Sequence, residues 1–76
     1  MDARSHLLAN LGKRLRELRE KRGMSQEVLA ALAGLNRNYV NQVEAGRRNI
    51  SIVNLVKLAE ALGIDVTSVV RGISNK

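Results

Sequence analysis

A chain of 76 residues with no cysteine and one histidine has room for a single domain with a small core. Neither a disulfide framework nor a thiolate or multi-histidine metal site is available to stiffen it. Thirteen basic residues against seven acidic ones, a formal net charge of +6, set up a field that attracts polyanions, nucleic acid first among them.

Five of the six glycines, Gly23, Gly34, Gly46, Gly63 and Gly72, follow apolar residues at helical spacing and read as helix ends. Ser25, Asn36, Ser51 and Asp65 then supply N-cap chemistry to the helices that follow. The pattern predicts five helices and no strand. The first covers about Ser5 to Arg22, with Leu8, Leu11, Leu15 and Leu18 as its apolar stripe. Gly12 lies inside it at a cost of about 1 kcal/mol relative to alanine. Either another helix approaches closely there, or the helix starts late or irregularly. The stretch Lys13 to Arg22 holds six basic and two acidic residues. Lys13 and Arg14 have the reach for a phosphate, with a solvated, partly ion-paired face as the other reading. Fraying is expected at Met1 to Arg4 and at Ser74 to Lys76.

Residues Gln26 to Ala45, QEVLAALAGLNRNYVNQVEA, contain a short apolar helix (about Gln26 to Ala33), a glycine hinge and a helix with a polar face (about Arg37 to Ala45). This is the pattern of a helix-turn-helix. Ala30 must be small where the two helices cross, and Gly34 must take the positive φ that swings the chain round. Val40 and Val43 anchor the second of these helices and leave Arg37, Asn38, Asn41 and Gln42 facing outward. An arginine in the first turn, Arg37, presents a planar fork that fits guanine O6 and N7. Asn38, Asn41 and Gln42 are suited to paired hydrogen bonds with adenine, and Asn41 is equally placed for phosphate or water. Arg47, Arg48 and Asn49 follow where the chain would run beside the sugar–phosphate backbone, so positioning contacts are expected there, or else a solvated loop. Ser25, Asn36 and Ser51 are caps first. They join the phosphate-facing set because a helix N-terminus offers unpaired N–H donors to an anion.

The fourth helix spans about Ile52 to Leu62 and is expected to bury Ile52, Leu55, Leu58, Ala59 and Leu62; the short fifth holds Val66, Val69 and Val70. Ile64, Val66, Val69, Val70 and Ile73 offer more apolar surface than a lone monomer should expose, which marks the end of the fourth helix and the fifth as a dimer surface. Catalysis finds no foothold. His6 is alone, Asp65 and Glu60 are explained as a cap and a helix-surface charge, and no glycine loop cradles a phosphate. No enzyme activity, cofactor, metal or small-molecule ligand is expected. No apolar stretch approaches the roughly 20 residues that span a bilayer, and the start MDARSHLL lacks a signal-peptide core. A soluble cytoplasmic protein with no membrane partner is the expectation.

The string GKRLRELREKRGMSQEVLAALAGLNRNYVNQVEAGRRNISIVNLVKLAEALGIDV resembles the helix-turn-helix domain of phage repressors and the wider Cro/CI (xenobiotic-response-element) regulators, over Leu11 to about Gly72. Within it, RNYVNQVEAGRRNISIVNL is similar to the restriction–modification controller proteins, where an Arg-x-Tyr pair opens the reading helix and an Arg-Asn-(Ile/Leu)-(Ser/Thr) segment follows. The resemblance implies a compact, all-α, five-helix lambda-repressor-like domain. It also implies that Gln26 meets a DNA phosphate, and that Tyr39 touches a thymine methyl or a phosphate, packing being the other use of that ring. Glu44 is implied to pair with Arg19, either partly buried and fixing the angle between helices or as a surface pair. The expected function is a sequence-specific double-stranded DNA-binding transcription regulator. It would act as a homodimer on a pseudo-palindromic operator with half-sites roughly 34–36 Å apart, because one short helix reads too few bases. The alternative is an antitoxin or protein-interaction module that carries the same motif. A nonspecific DNA coat conflicts with an amide-rich reading face.

Overall fold

The computed structural model describes residues 2–73. It contains α1 (Ala3–Lys21), α2 (Gln26–Ala33), α3 (Arg37–Glu44), α4 (Ile52–Ala61) and α5 (Val66–Arg71), with no strand among the described residues. The architecture is all-α. The start of α1 departs most from the sequence reading. The Asp2 carboxylate accepts the Ser5 N–H at 2.8 Å, a capping bond that holds its pKa below the ordinary carboxylate value, so Ala3 and Arg4 are helical. Ser74 to Lys76 lie outside the described residues.

The corners between helices share one local grammar. After α1, α2, α3 and α4 the chain closes with paired bonds of the Schellman type, for example Leu35 N–H to the Ala30 carbonyl at 2.8 Å and Arg47 N–H to the Gln42 carbonyl at 2.9 Å. Gly34 and Gly46 make two of these turns at φ +69° and +73°, conformations a side chain resists. A polar cap then opens the next helix. Ser25 Oγ accepts from Val28 N–H at 3.0 Å, Asn36 Oδ1 from Asn38 N–H at 2.7 Å, and Ser51 Oγ from Asn54 N–H at 3.1 Å. The residue before each cap is apolar and packs on the core: Met24, Leu35, Ile50 and Ile64. Five residues later lies a buried partner, Leu29, Val40, Leu55 or Val69, which is the spacing of a hydrophobic staple.

The core gathers Leu11, Leu15 and Leu18 of α1, Leu29, Ala30 and Ala33 of α2, Val40 and Val43 of α3, Leu55, Leu58 and Ala59 of α4, then Leu62 and Val69. Two expectations need correction. Ile52 is 68% exposed, because the α4 stripe runs out beyond the core at its first turn and Ile50 fills the corner instead. Val69 is 0% exposed, because it is the staple partner that seats α5 on its own chain, so no second molecule can reach it. Gly72 ends α5 with an ordinary φ of −79°, and a Cβ there would meet only the flexible Arg14 side chain, which lies across it.

Gly12 resolves in favour of a close helix approach. A Cβ at this position would stand 2.5 Å from the carbonyl oxygens of both Val43 and Glu44, so α1 and the end of α3 touch backbone to backbone. Gly46 repeats the arrangement one turn away, its missing Cβ falling 2.9 Å from Ala9 Cα. Gly12→Ala should therefore destabilise the fold by about 1–3 kcal/mol through overpacking, against the roughly 1 kcal/mol of helix propensity it gains. Thermal melting checks this, and a variant melting at or above the parent would show that the two helices do not cross so closely.

Candidate nucleic-acid interface

The helix α3 is amphipathic over only eight residues, so two buried valines decide which way it faces. Val40 and Val43 point into the core, and Arg37, Asn38 and Asn41 are exposed while Gln42 is half-buried. Arg37 and Asn38 make no side-chain hydrogen bond or ion pair among the described residues, which leaves the first turn of α3 open to a ligand. Arg47 and Asn49 are exposed beyond its end.

Behind this face lies a charged bolt. Arg19 Nε and Nη2 donate to the two Glu44 carboxylate oxygens at 2.6 and 3.0 Å, and Nη1 donates to the Met24 carbonyl at 2.7 Å. The side chains are 10% and 4% exposed. The bidentate geometry and the third bond satisfy a guanidinium that burial would otherwise penalise, and the Glu44 bonds raise the Arg19 pKa above its ordinary value despite that burial. This pair joins α1 to the end of α3 and, through Met24, to the corner before α2. The Arg16–Glu20 pair is of another kind, an exposed i,i+4 contact at 3.1 Å with little energetic weight.

Hydrogen bonds continue outward from the bolt. Gln26 Nε2 donates to Glu44 Oε1 at 3.0 Å, and Gln26 Oε1 accepts from Asn41 Nδ2 at 3.2 Å. A carboxylate accepts only, so it fixes which end of the Gln26 amide faces inward, and Asn41 answers with its own NH2. The structure thus engages the Gln26 side chain within the chain. Beside it, Arg19, Ser25, Gln26, Glu27 and Arg37 border a concavity of about 400 Å³ at the N-terminus of α2. Partial positive charge there adds to the cation of Arg37.

A second group forms at the far side of α3. Asn54 Nδ2 donates to the Tyr39 hydroxyl at 3.1 Å, the Tyr39 ring packs against the core, and Arg48 covers that ring and bonds to Gln42. Sequence reasoning missed Asn54 and the use of Arg48 on Gln42. Asn54 sits in the first turn of α4, and no local pattern signals that this turn comes back onto Tyr39. Of the proposed dimer residues, Val70 is 51% exposed, Ile64, Val66 and Ile73 are partly buried against their own core, and Val69 is excluded as described above. Among the described residues no three His, Cys, Asp or Glu side chains group to hold a metal, and no helix is long and apolar enough to cross a membrane.

A polar helix held by its apolar side, following a tight glycine turn and flanked by cations, defines a helix-turn-helix DNA-binding domain. The chain belongs to the HTH_3 helix-turn-helix family, which matches residues 15–69. It is 46% identical over 57 residues to the control protein C.MunI of a Mycoplasma species, covering 74% of this chain and 77% of that protein. The crystal structure of the restriction–modification controller protein C.AhdI from Aeromonas hydrophila superposes with a TM-score of 0.81 at 55% identity, over 82% of this chain and 94% of that one. The chain is also 37% identical over 57 residues to the transcriptional regulator RamB of Mycobacterium tuberculosis, with 75% of this chain covered and 12% of RamB. It is a DNA-binding transcription regulator close to the controller proteins, and these relatives are regulators rather than enzymes.

Removing one partner of the bolt strands the other charge. Glu44→Ala should lower stability by about 3–5 kcal/mol, read from denaturant midpoints at unchanged slope. A loss below about 1 kcal/mol would place Arg19–Glu44 with ordinary surface pairs.

Proposed function

We propose that this protein binds double-stranded DNA as a homodimer, setting α3 of each copy into successive major grooves of a pseudo-palindromic operator, and that it controls the promoter of restriction–modification genes together with its own. The observation that carries this reading is the outward face of α3, where Arg37 and Asn38 stand unpartnered while Val40 and Val43 lock the opposite face into the core. Likeness to C.MunI and C.AhdI supports the controller role. Arg37, Asn38, Tyr39, Asn41 and Gln42 are assigned to base edges. The N-terminus of α2 with Ser25 and Gln26, the cap residues Asn36 and Ser51, and the segment Arg47, Arg48 and Asn49 are assigned to the backbone.

Homodimerisation follows from the small reading surface, because two copies square the discrimination one can achieve. The contact we assign is the outward side of α5 around Val70, with Ile64, Val66 and Ile73 at its margin. A second apolar strip, Ile52, Val53 and Val56 on α4, borders a shallow depression of about 370 Å³ with Lys57 and Glu60, and serves as the control surface.

Selection of bound duplexes from a random pool should yield a two-fold-related site that the parent prefers over random DNA by roughly 10³ or more. Arg37→Ala combined with Gln42→Ala should cut that preference about tenfold or more, and an unchanged preference would refute the reading face. In sedimentation, Val70→Asp should halve the mass while Val53→Asp leaves it unchanged; the reverse result would move the interface to α4.

A further inference from the structure

Arg48 lies beyond the reading helix, in the segment assigned to the sugar–phosphate backbone, yet its guanidinium turns back over α3. Its Nη1 donates to Gln42 Oε1 at 2.8 Å, and its Cζ stands 5.0 Å from the centroid of the Tyr39 ring, within cation–π range. Tyr39 is itself fixed, its ring against the core and its hydroxyl held by Asn54 at 3.1 Å. Arg48 therefore has an aromatic seat from which to hold Gln42. These side chains, with Asn36 and Asn38, border an open concavity of about 460 Å³ alongside α3.

An unrestrained glutamine amide presents a carbonyl and an NH2 together, the pair that matches adenine N7 and N6. A guanidinium carries donors only, so the bond to Arg48 engages the Gln42 carbonyl, and a flipped amide would lose it. What Gln42 keeps fully free for a base edge is its NH2, while its carbonyl, with one lone pair still open, lies against the Arg48 cation. That NH2 suits the acceptors guanine O6 and N7, thymine O4 or adenine N7. The paired contact to adenine, by contrast, needs N6–H to share the Gln42 carbonyl with the donor-only Arg48 guanidinium, so adenine loses its bidentate advantage. We propose that Arg48 is a specificity-determining positioning residue: seated on Tyr39, it holds the carbonyl of Gln42, makes Gln42 a hydrogen-bond donor toward DNA, and turns preference at the base pair it meets away from adenine. This rests on the base-reading role of α3 proposed above. A phosphate contact through other Arg48 N–H groups is compatible with it and experimentally separable, because phosphate contacts carry no base preference.

The test measures affinities of the parent, Arg48→Met and the double variant Arg48→Met with Gln42→Leu on all single-base substitutions of the parent's selected site, at several salt concentrations. Arg48 is exposed, so the variants should retain the parent fold by circular dichroism. For Arg48→Met, preference at one base position should move toward adenine by about fivefold or more, with the other positions unchanged, and the move should vanish once Gln42 is also replaced. A uniform loss on every duplex, with the log–log salt slope falling by about one unit, would make Arg48 a phosphate contact alone and overturn the proposal. An adenine shift that survives without Gln42, or a profile unchanged from the parent, would overturn it too. A parent with no preference among duplexes would instead remove the base-reading role of α3, and this proposal with it.

Discussion

Gly12 of α1 sits against the last carbonyls of α3, and Ala9 sits against Gly46 in the turn that follows. Because nothing but backbone separates the two helices there, the end of α3 has one place to lie. That closeness also brings Arg19 within bidentate reach of Glu44, at 2.6 and 3.0 Å. An ion pair this buried gains little net stability over a well-packed apolar pair, but its geometry is demanding. Steric contact sets the distance between the helices, and the ion pair sets their rotation about each other. Val40 and Val43 complete the placement from the apolar side.

From that fixed end, order spreads to the reading face through side chains of opposite hydrogen-bonding character. The Glu44 carboxylate accepts, and through Gln26 it determines that Asn41 engages its NH2 inward. The Arg48 guanidinium donates, and it engages the carbonyl of Gln42. Two neighbouring amides on one short helix are thus held in opposite senses by two charges that lie outside the face itself. Amides are ambiguous readers when free to flip, and a charged partner of one kind removes the ambiguity.

The basic residues divide in a way that charge counting does not show. Within Lys13 to Arg22, Arg19 is committed to Glu44, Arg16 pairs with Glu20, Arg14 Nη2 donates to the Ser68 carbonyl at 3.1 Å, and Arg22 Nη1 reaches the Leu18 carbonyl at 3.4 Å. Much of the densest cationic stretch therefore serves the fold, tying α1 to α3 and α5. The cations on the α3 side, Arg37, Arg47 and Arg48, make no salt bridge among the described residues, and they flank the face assigned to a polyanion.

Features that depend on residues within about one helical turn of each other were legible in the chain itself. Caps, glycine turns and apolar spacing placed α2 at Gln26–Ala33 and set α3 beginning at Arg37, because a cap and its N–H donor are neighbours in sequence whatever the tertiary fold. The identity of Gly12 signalled that something approaches, though not what. Tertiary packing decided the rest. Val69 is enclosed while the adjacent Val70 faces out, a difference of about 100° around one helix that only the position of the core resolves. Asn54 meets Tyr39, and Arg48 meets Gln42, because α4 and the turn before it return onto α3. The hydrogen-bonding sense of each reading amide belongs to that same class, since it is set by partners that adjoin it in space and whose identity no local spacing could reveal.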